Sequence, residues 1–222
     1  QNAVPVTIQE PEQPRSAIRQ LVLSVEPDEK LRGLYRLLND FPHETALIFC
    51  NFKASVAELT QALAAAGGSV ACLHGDLEQF ERDQVLARFR NQSIRILVAT
   101  DVAARGLDVE DLDLVINYEL PPKPEVYVHR IGRTGRAGKG GVAISLAPAL
   151  MKERLQAIER ATGISMERLP RADSEARNMS ELERGISRDA KMATILISAG
   201  RKDKLRPGDI LGALTGEAGG LE

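Results

Sequence analysis

Tryptophan is absent from this 222-residue chain, and aromatic residues make up only 4% of it. Cysteine is as scarce. Cys50 ends one apolar, strand-like run and Cys72 sits inside another. Two such thiols make no disulfide framework and fit buried, reduced side chains in a cytosolic protein. The three histidines, His43, His74 and His129, stand at no ligand spacing to these cysteines, so no zinc site is expected. No apolar run approaches the roughly 20 residues that span a bilayer. No signal peptide is visible either, so the expected setting is cytoplasmic, with no membrane partner. A net charge of -2 excludes a generally cationic surface. The chain begins at Gln1 rather than Met, so a piece of a longer protein is expected.

With 43% hydrophobic and 27% charged residues, the chain has the composition of a globular protein. Its length suits one sizeable core plus an appendage, or two small domains. Residues 1–15 carry Pro5, Pro11 and Pro14 and read as a linker or arm. QLVLSV (20–25) reads as a strand ended by Pro27. Asp28 then caps a helix with Leu31, Leu34, Leu37 and Leu38 at helical spacing, closed by Pro42. From Thr45 a rhythm sets in. Apolar runs ALIFC (46–50), SVACL (69–73), IRILVA (94–99), DLVIN (113–117) and VAISL (142–146) alternate with amphipathic segments. Val56, Leu59 and Leu63 line one helix face, with Gly67-Gly68 at its C-terminal end. Phe80, Val85, Leu86 and Phe89 are expected to crowd the buried face of the next. Nearly continuous apolar strands alternating with helices predict an α/β fold: a mostly parallel sheet with helices on both faces. Right-handed crossovers then collect the loops after the strands at one edge, where ligands of open α/β sheets bind.

Those loops read Asn51-Phe52-Lys53, then His74-Gly75-Asp76, then Thr100 to Asp108, then Tyr118-Glu119 and Pro121-Pro122. Farther on comes His129-Arg130-Ile131-Gly132-Arg133-Thr134-Gly135-Arg136-Ala137-Gly138-Lys139, with four basic side chains among three glycines. Arg133 and Arg136 share a helix face at i, i+3, and two neighbouring guanidiniums call for an anion whose geometry matches their fork, such as a phosphate. By itself the motif reads first as a solvated basic turn, and only its context favours the anion. Met151 to Thr162 forms a further helix ended by Gly163. Residues 167–191 are charged and poor in apolar side chains, and read as a linker. A short strand over 193–198 and a helix from Pro207 to about Thr215 follow. One strand and one helix cannot enclose a core.

The motifs LIFCNFK (47–53), HGDLEQFER (74–82), ATDVAARGLDV (99–109) and HRIGRTGRAGK (129–139), in this order, resemble the second RecA-like domain of DEAD-box RNA helicases over roughly residues 16–165. LRPGDILGALTG (205–216) resembles the start of the RRM-like RNA-binding domain of the bacterial DbpA subfamily, whose members act on 23S ribosomal RNA in large-subunit assembly. The resemblance implies four parts: an arm (1–15), a RecA-like domain (16–166), a charged linker (167–191), and an incomplete RRM-like βα segment (192–222). It implies that Arg133 and Arg136 approach the ATP γ-phosphate, where such a finger is worth roughly 10³–10⁵ in rate. Asp108 would reach the ATP ribose, with Gly106 letting the backbone pass. Arg105 and His129 would couple the motifs across the interdomain cleft, or make ordinary structural hydrogen bonds. Gln79 and Arg82, at i, i+3 on a helix, would meet the RNA backbone together with Thr100, Gly75 and Asp76. Acidic Asp76 would meet a 2′-OH or brace its loop. Lys53 would join them or remain solvated, and His43 and Glu44 read as surface loop.

The chain contains no GxxxxGK[ST] and no DEAD sequence. In the family these belong to the first RecA-like domain, which holds Mg²⁺. The fragment is therefore expected to supply fingers and RNA contacts to ATP bound by a partner domain, and to be no ATPase alone. The rival reading is a non-catalytic RNA-binding or adaptor fragment. A Rossmann-like nucleotide or flavin site would need a GxGxxG after the first strand, and none is there.

Overall fold

The computed structural model describes residues 18–104, 109, 111–135, 140–170, 177–186, 190–197, 202 and 206–215. The arm at 1–15, and Arg105, Gly106, Asp108 and Arg136, lie outside the described residues. Two compact units divide the chain at Met192 and Ala193.

The first unit is built on seven strands: β1 (Ile18–Ser24), β2 (Ala46–Cys50), β3 (Val70–Leu73), β4 (Ile96–Thr100), β5 (Leu114–Asn117), β6 (Gly141–Ala147) and β7 (Glu167–Leu169). They pair in the order β3-β4-β2-β5-β6-β1-β7, and every pairing is parallel. The interior strands β2, β4 and β5 are buried at every residue, which is why their sequences read as unbroken apolar runs. The period of two divides each between two cores. Leu47, Phe49, Leu97, Ala99 and Val115 face one side; Ala46, Ile48, Ile96, Val98 and Ile116 face the other.

The helices cover both faces. α1 (Lys30–Asp40) and α2 (Lys53–Ala65) add Leu34, Leu37, Leu38, Val56, Leu59 and Leu63 to one core. α3 (Gln79–Arg90), α4 (Asp101–Ala104), α5 (Pro124–Ile131) and α6 (Lys152–Thr162) add Leu86, Phe89, Ala103, Tyr127, Ile131, Leu155 and Ile158 to the other. Gly67 and Gly163 take positive φ (80° and 68°) just past α2 and α6, the left-handed turn that glycine adopts without strain.

Five expectations are corrected. Asp28 makes no cap: it lies in a 3-10 turn, Pro27–Glu29, and no side chain caps that turn or α1. His43 is buried rather than a surface loop residue. Its Nδ1 lies 2.9 Å from the Phe41 carbonyl, and its own carbonyl accepts Arg95 Nη2 at 2.5 Å. Phe80 is 65% exposed and off the core face. Nine residues separate it from Phe89, about two and a half turns at 3.6 residues each, so the two point to opposite sides.

The stretch 167–191 is structured in its described residues. β7 pairs with β1, and Arg19 grips Glu167 at 2.6 Å. α7 (Met179–Ile186) opens on a reciprocal capping box: Glu181 N donates to Asn178 Oδ1 at 2.8 Å and Asn178 N to Glu181 Oε2 at 3.2 Å. It buries Leu182 and Ile186 in the same core as α1 and α2. The polar side of α1 holds the connector. Arg36 donates to the Pro170 carbonyl (3.0 Å), Arg32 to Arg177 (2.7 Å), and Asn39 to Leu182 (3.0 Å), while Asp40 pairs with Arg177. Charge in this segment therefore marks α1-binding residues, not a solvated linker.

In the second unit, residues 193–197 form no strand and are exposed, which corrects the fifth expectation. Pro207 does open α8 (Pro207–Thr215).

Candidate functional site

Because all seven strands run one way, Cys50, Leu73, Thr100, Asn117 and Ala147 end at one edge of the sheet. The helices that follow begin there, so the N-termini of α2, α3, α5 and α6 bring partial positive charge to the same edge.

Arg130 is the centre of that edge. It sits on the buried stripe of α5 with Tyr127 and Ile131, and only 1% of its side chain is exposed. Its guanidinium makes a bidentate pair with Asp101, at 2.6 Å from Nε and 2.8 Å from Nη2. Nη1 donates to Asn117 Oδ1 (3.2 Å) and the Glu119 carbonyl (2.7 Å), and Nη2 to Asn51 Oδ1 (2.8 Å). The Phe49 ring lies 5.0 Å from the guanidinium carbon. The loops after β2, β4 and β5 and the end of α5 thus share one buried cation. Glu119 extends the network, accepting from Asn51 N (2.6 Å) and Ser55 Oγ (2.9 Å). Sequence reading placed Arg130, Asp101, Asn51 and Glu119 in the edge motifs but gave none of them, nor Asn117, a role. The signal was there: Arg130 falls at i+3 from Tyr127 and beside Ile131, on an apolar stripe that admits a charge only with partners.

The residues expected at RNA lie on the β3–β4–β2 half of this edge. Gly75 and Asp76 are exposed in the turn after β3. Asp76 pairs with Lys53 at 2.7 Å, joining the loop after β3 to the start of α2. The hydrogen bond from Lys53 holds the Asp76 carboxyl below its usual range. Gln79 and Arg82 share the first turn of α3. Gln79 donates to Asp83 (2.8 Å), and the Arg82 guanidinium donates to the Ala103 carbonyl in α4. Arg82 thereby fixes α3 against the helix that begins next to Thr100, the buried last residue of β4.

Arg133 follows α5. Its amide takes the Arg130 carbonyl, and its own carbonyl accepts the Leu112 amide at 3.1 Å. Thr134 donates through its hydroxyl to the Leu112 carbonyl. The basic turn is thus laced to the segment that follows 105–108. His129 is exposed on α5. The structure brings Gly75, Asp76, Gln79, Arg82 and Thr100 together. How Arg133 stands to Arg136 and Asp108 falls outside the described residues.

Behind the edge, burial pushes the Cys50 thiol and the Tyr118 phenol each up to about 12. Burial also pulls down the Lys30 ammonium, which lies 4.3 Å from the Tyr118 ring centre. No three His, Cys, Asp or Glu side chains among the described residues come together as a metal would require, and no described helix is long and apolar enough to cross a membrane. Large apolar side chains stand exposed along the edge: Phe52 before α2, Phe80 and Val102 as the second residues of α3 and α4, and Leu150 shortly after β6.

Known proteins resemble this chain in sequence and fold. The family profile described as the helicase conserved C-terminal domain matches residues 29–138, and that of the DbpA RNA binding domain matches 194–222. The ATP-dependent RNA helicase DbpA of Escherichia coli (strain K12) is 48% identical over 191 residues, which is 86% of this chain and 40% of that protein. The chain therefore spans less than half of that relative. The solved C-terminal domain of the DEAD-box protein Dbp5 is 35% identical with a TM-score of 0.66, over 77% of this chain and 97% of its own. S. cerevisiae Dbp5 bound to RNA and ADP BeF3 is 34% identical with a TM-score of 0.66, over 78% of this chain and 46% of its own.

Proposed function

The chain belongs to the DEAD-box RNA helicases, as a C-terminal RecA-like domain of the DbpA type, and from that membership we propose that it is the half of an ATP-dependent RNA helicase that supplies arginine fingers and RNA-backbone contacts. The observation that carries the reading is the edge itself. One end of a parallel sheet gathers helix N-termini, a buried guanidinium hub and a polar row, exposed Gly75, Asp76 and Gln79 with half-buried Arg82. Helix N-termini suit phosphate, the buried hub holds the loops beside them in place, and polar contacts of this kind position a nucleic acid without reading its sequence.

Each part has a role. Arg133 and Arg136 neutralise charge developing on the γ-phosphate of an ATP held by a separate N-terminal RecA-like lobe, which also holds the Mg²⁺. Gly106 and Asp108 meet the ribose side. Arg105 and His129 couple the lobes. Arg130 does not touch the phosphate: it ties the loops that carry these residues into one rigid body, so lobe closure delivers them together. RNA lies along Gly75, Asp76, Gln79, Arg82 and Thr100. The match at 194–222 supports an RNA partner for the tail, which we assign to 23S ribosomal RNA in large-subunit assembly in the cytoplasm.

The test is reconstitution. This chain mixed with a separately purified N-terminal lobe should hydrolyse ATP only with RNA present, and Arg136→Ala or Arg133→Ala should abolish that activity without unfolding the chain. A silent mixture in which the chain still binds RNA would favour the adaptor reading, for which the RNA-binding tail is the supporting observation. Brisk RNA-stimulated ATP hydrolysis by the chain alone would contradict both.

A further inference from the structure

Phe52 and Phe80 are anomalies of burial. The chain has five phenylalanines and no tryptophan, yet these two stand 67% and 65% exposed. Phe49 and Phe89, close by in sequence, are almost wholly buried. Neither exposed ring is a stray surface residue at random. Phe52 immediately precedes α2, and Phe80 is the second residue of α3, so both project from first turns at the ligand edge. They flank the polar row. Lys53 follows Phe52 and pairs with Asp76 of the β3 loop, while Phe80 follows Gln79 in the first turn of α3, to one side of the face that Gln79 and Arg82 share.

The spacing separates two kinds of occupant. In the sheet order, β4 lies between β3 and β2, and α2 and α3 pack on opposite faces of the sheet, so the two rings project from separate helix starts on either side of the edge. Protein anchors cluster into one desolvated patch. Here single rings are divided by polar groups: Lys53, Asp76 and Gln79 are all exposed. Aromatic platforms interleaved with backbone-contacting groups are the arrangement that grips single-stranded nucleic acid, where each ring takes the face of one base. Rings on opposite faces of the sheet lie farther apart than one nucleotide step of roughly 3.4 Å along a stacked strand, so each takes a different nucleotide.

We propose that Phe52 and Phe80 are base-stacking platforms for unpaired RNA on either side of the backbone contacts. This inference rests on the reading that RNA lies along this edge. Stacking is indifferent to base identity, so it adds affinity for single strands over duplex, whose bases are already stacked. The edge then holds a strand by its phosphates and by two bases at once, and favours the separated product of unwinding.

The experiment uses this chain together with a separate N-terminal lobe, a non-hydrolysable ATP analogue, and a short oligouridylate carrying one 2-aminopurine. Phe52→Ala and Phe80→Ala should each weaken binding roughly fivefold to a hundredfold and remove the fluorescence quenching that reports stacking. Phe52→Trp should keep both. Arg82→Ala is the control for the underlying reading. If Arg82→Ala weakens binding while both phenylalanine variants bind and quench like the parent, stacking is overturned and the RNA edge stands. If no variant, Arg82→Ala included, changes binding, or the parent does not bind, both are overturned. If the phenylalanine variants lose association with the lobe but not with RNA, the rings belong to a protein interface and the proposal is wrong.

Discussion

Replacing Arg130 by methionine should damage this domain more than any surface change, and the size of the effect follows from its surroundings. The guanidinium is 1% exposed and makes five hydrogen bonds, two to Asp101 and one each to Asn117, Asn51 and the Glu119 carbonyl. Methionine fills much of the volume but answers none of these acceptors. Asp101 keeps some water contact, with 24% of its side chain exposed, whereas Asn117 and its Oδ1 are fully buried. Removing one member of a buried pair costs about 3–5 kcal/mol. For a domain of this size, about 2–4 °C of melting temperature goes with each kcal/mol, so Arg130→Met should melt roughly 6–20 °C lower. Lysine cannot reproduce a planar five-donor fork, so Arg130→Lys should recover only a minor part of the loss. Asp101→Asn alone leaves Arg130 buried without its counter-charge and should also destabilise. Combined with Arg130→Met, its effect should be less than additive, with a coupling of about 1–3 kcal/mol. Urea denaturation followed by circular dichroism measures all four proteins. If Arg130→Met falls within about 1 kcal/mol of the parent and shows no coupling to Asp101→Asn, the hub contributes no stability and the argument fails.

Three further outcomes can be checked. Stability should fall above pH 9: Cys50 ionises near 9 when unfolded and near 12 when folded, so the folded chain binds the extra proton in that window. The loss from Cys50 should reach about 2–3 kcal/mol at pH 11, and Cys50→Ala should flatten this alkaline limb in denaturant titrations. The native Cys50 thiol should likewise ignore a disulfide reagent at pH 8 and react only in denaturant. Gly185→Ala should release α7, because an added Cβ would sit 1.6 Å from Asn39 Oδ1 and displace the amide that holds Leu182. We expect a loss of about 1–3 kcal/mol and new protease cleavage between 171 and 191; unchanged protection would show that α7 does not depend on that contact.

The alternation of apolar runs and amphipathic segments was enough to define six parallel strands and the helices between them, because burial on both faces leaves an unbroken apolar run in the sequence itself. The motif residues at the edge were legible for the same reason: they follow those runs. The connector 167–191 was not. Its charges read as solvated, yet Arg177, Asn178 and Glu181 pair with α1 or cap α7. Only two buried apolar residues, Leu182 and Ile186, separate this helix from a linker.

Local sequence thus determined the elements and their order, since propensity and periodicity act over a few residues. Whether a given side chain meets water, a charge or the core was decided by distant segments converging. Arg130 became a buried hub because Asn51, Asp101, Asn117 and Glu119 arrive from three separate strand ends. Phe80 was left in solvent because α3 starts at the rim, with Leu86 and Phe89 turned to the core. Neither outcome is written within any one stretch of the chain.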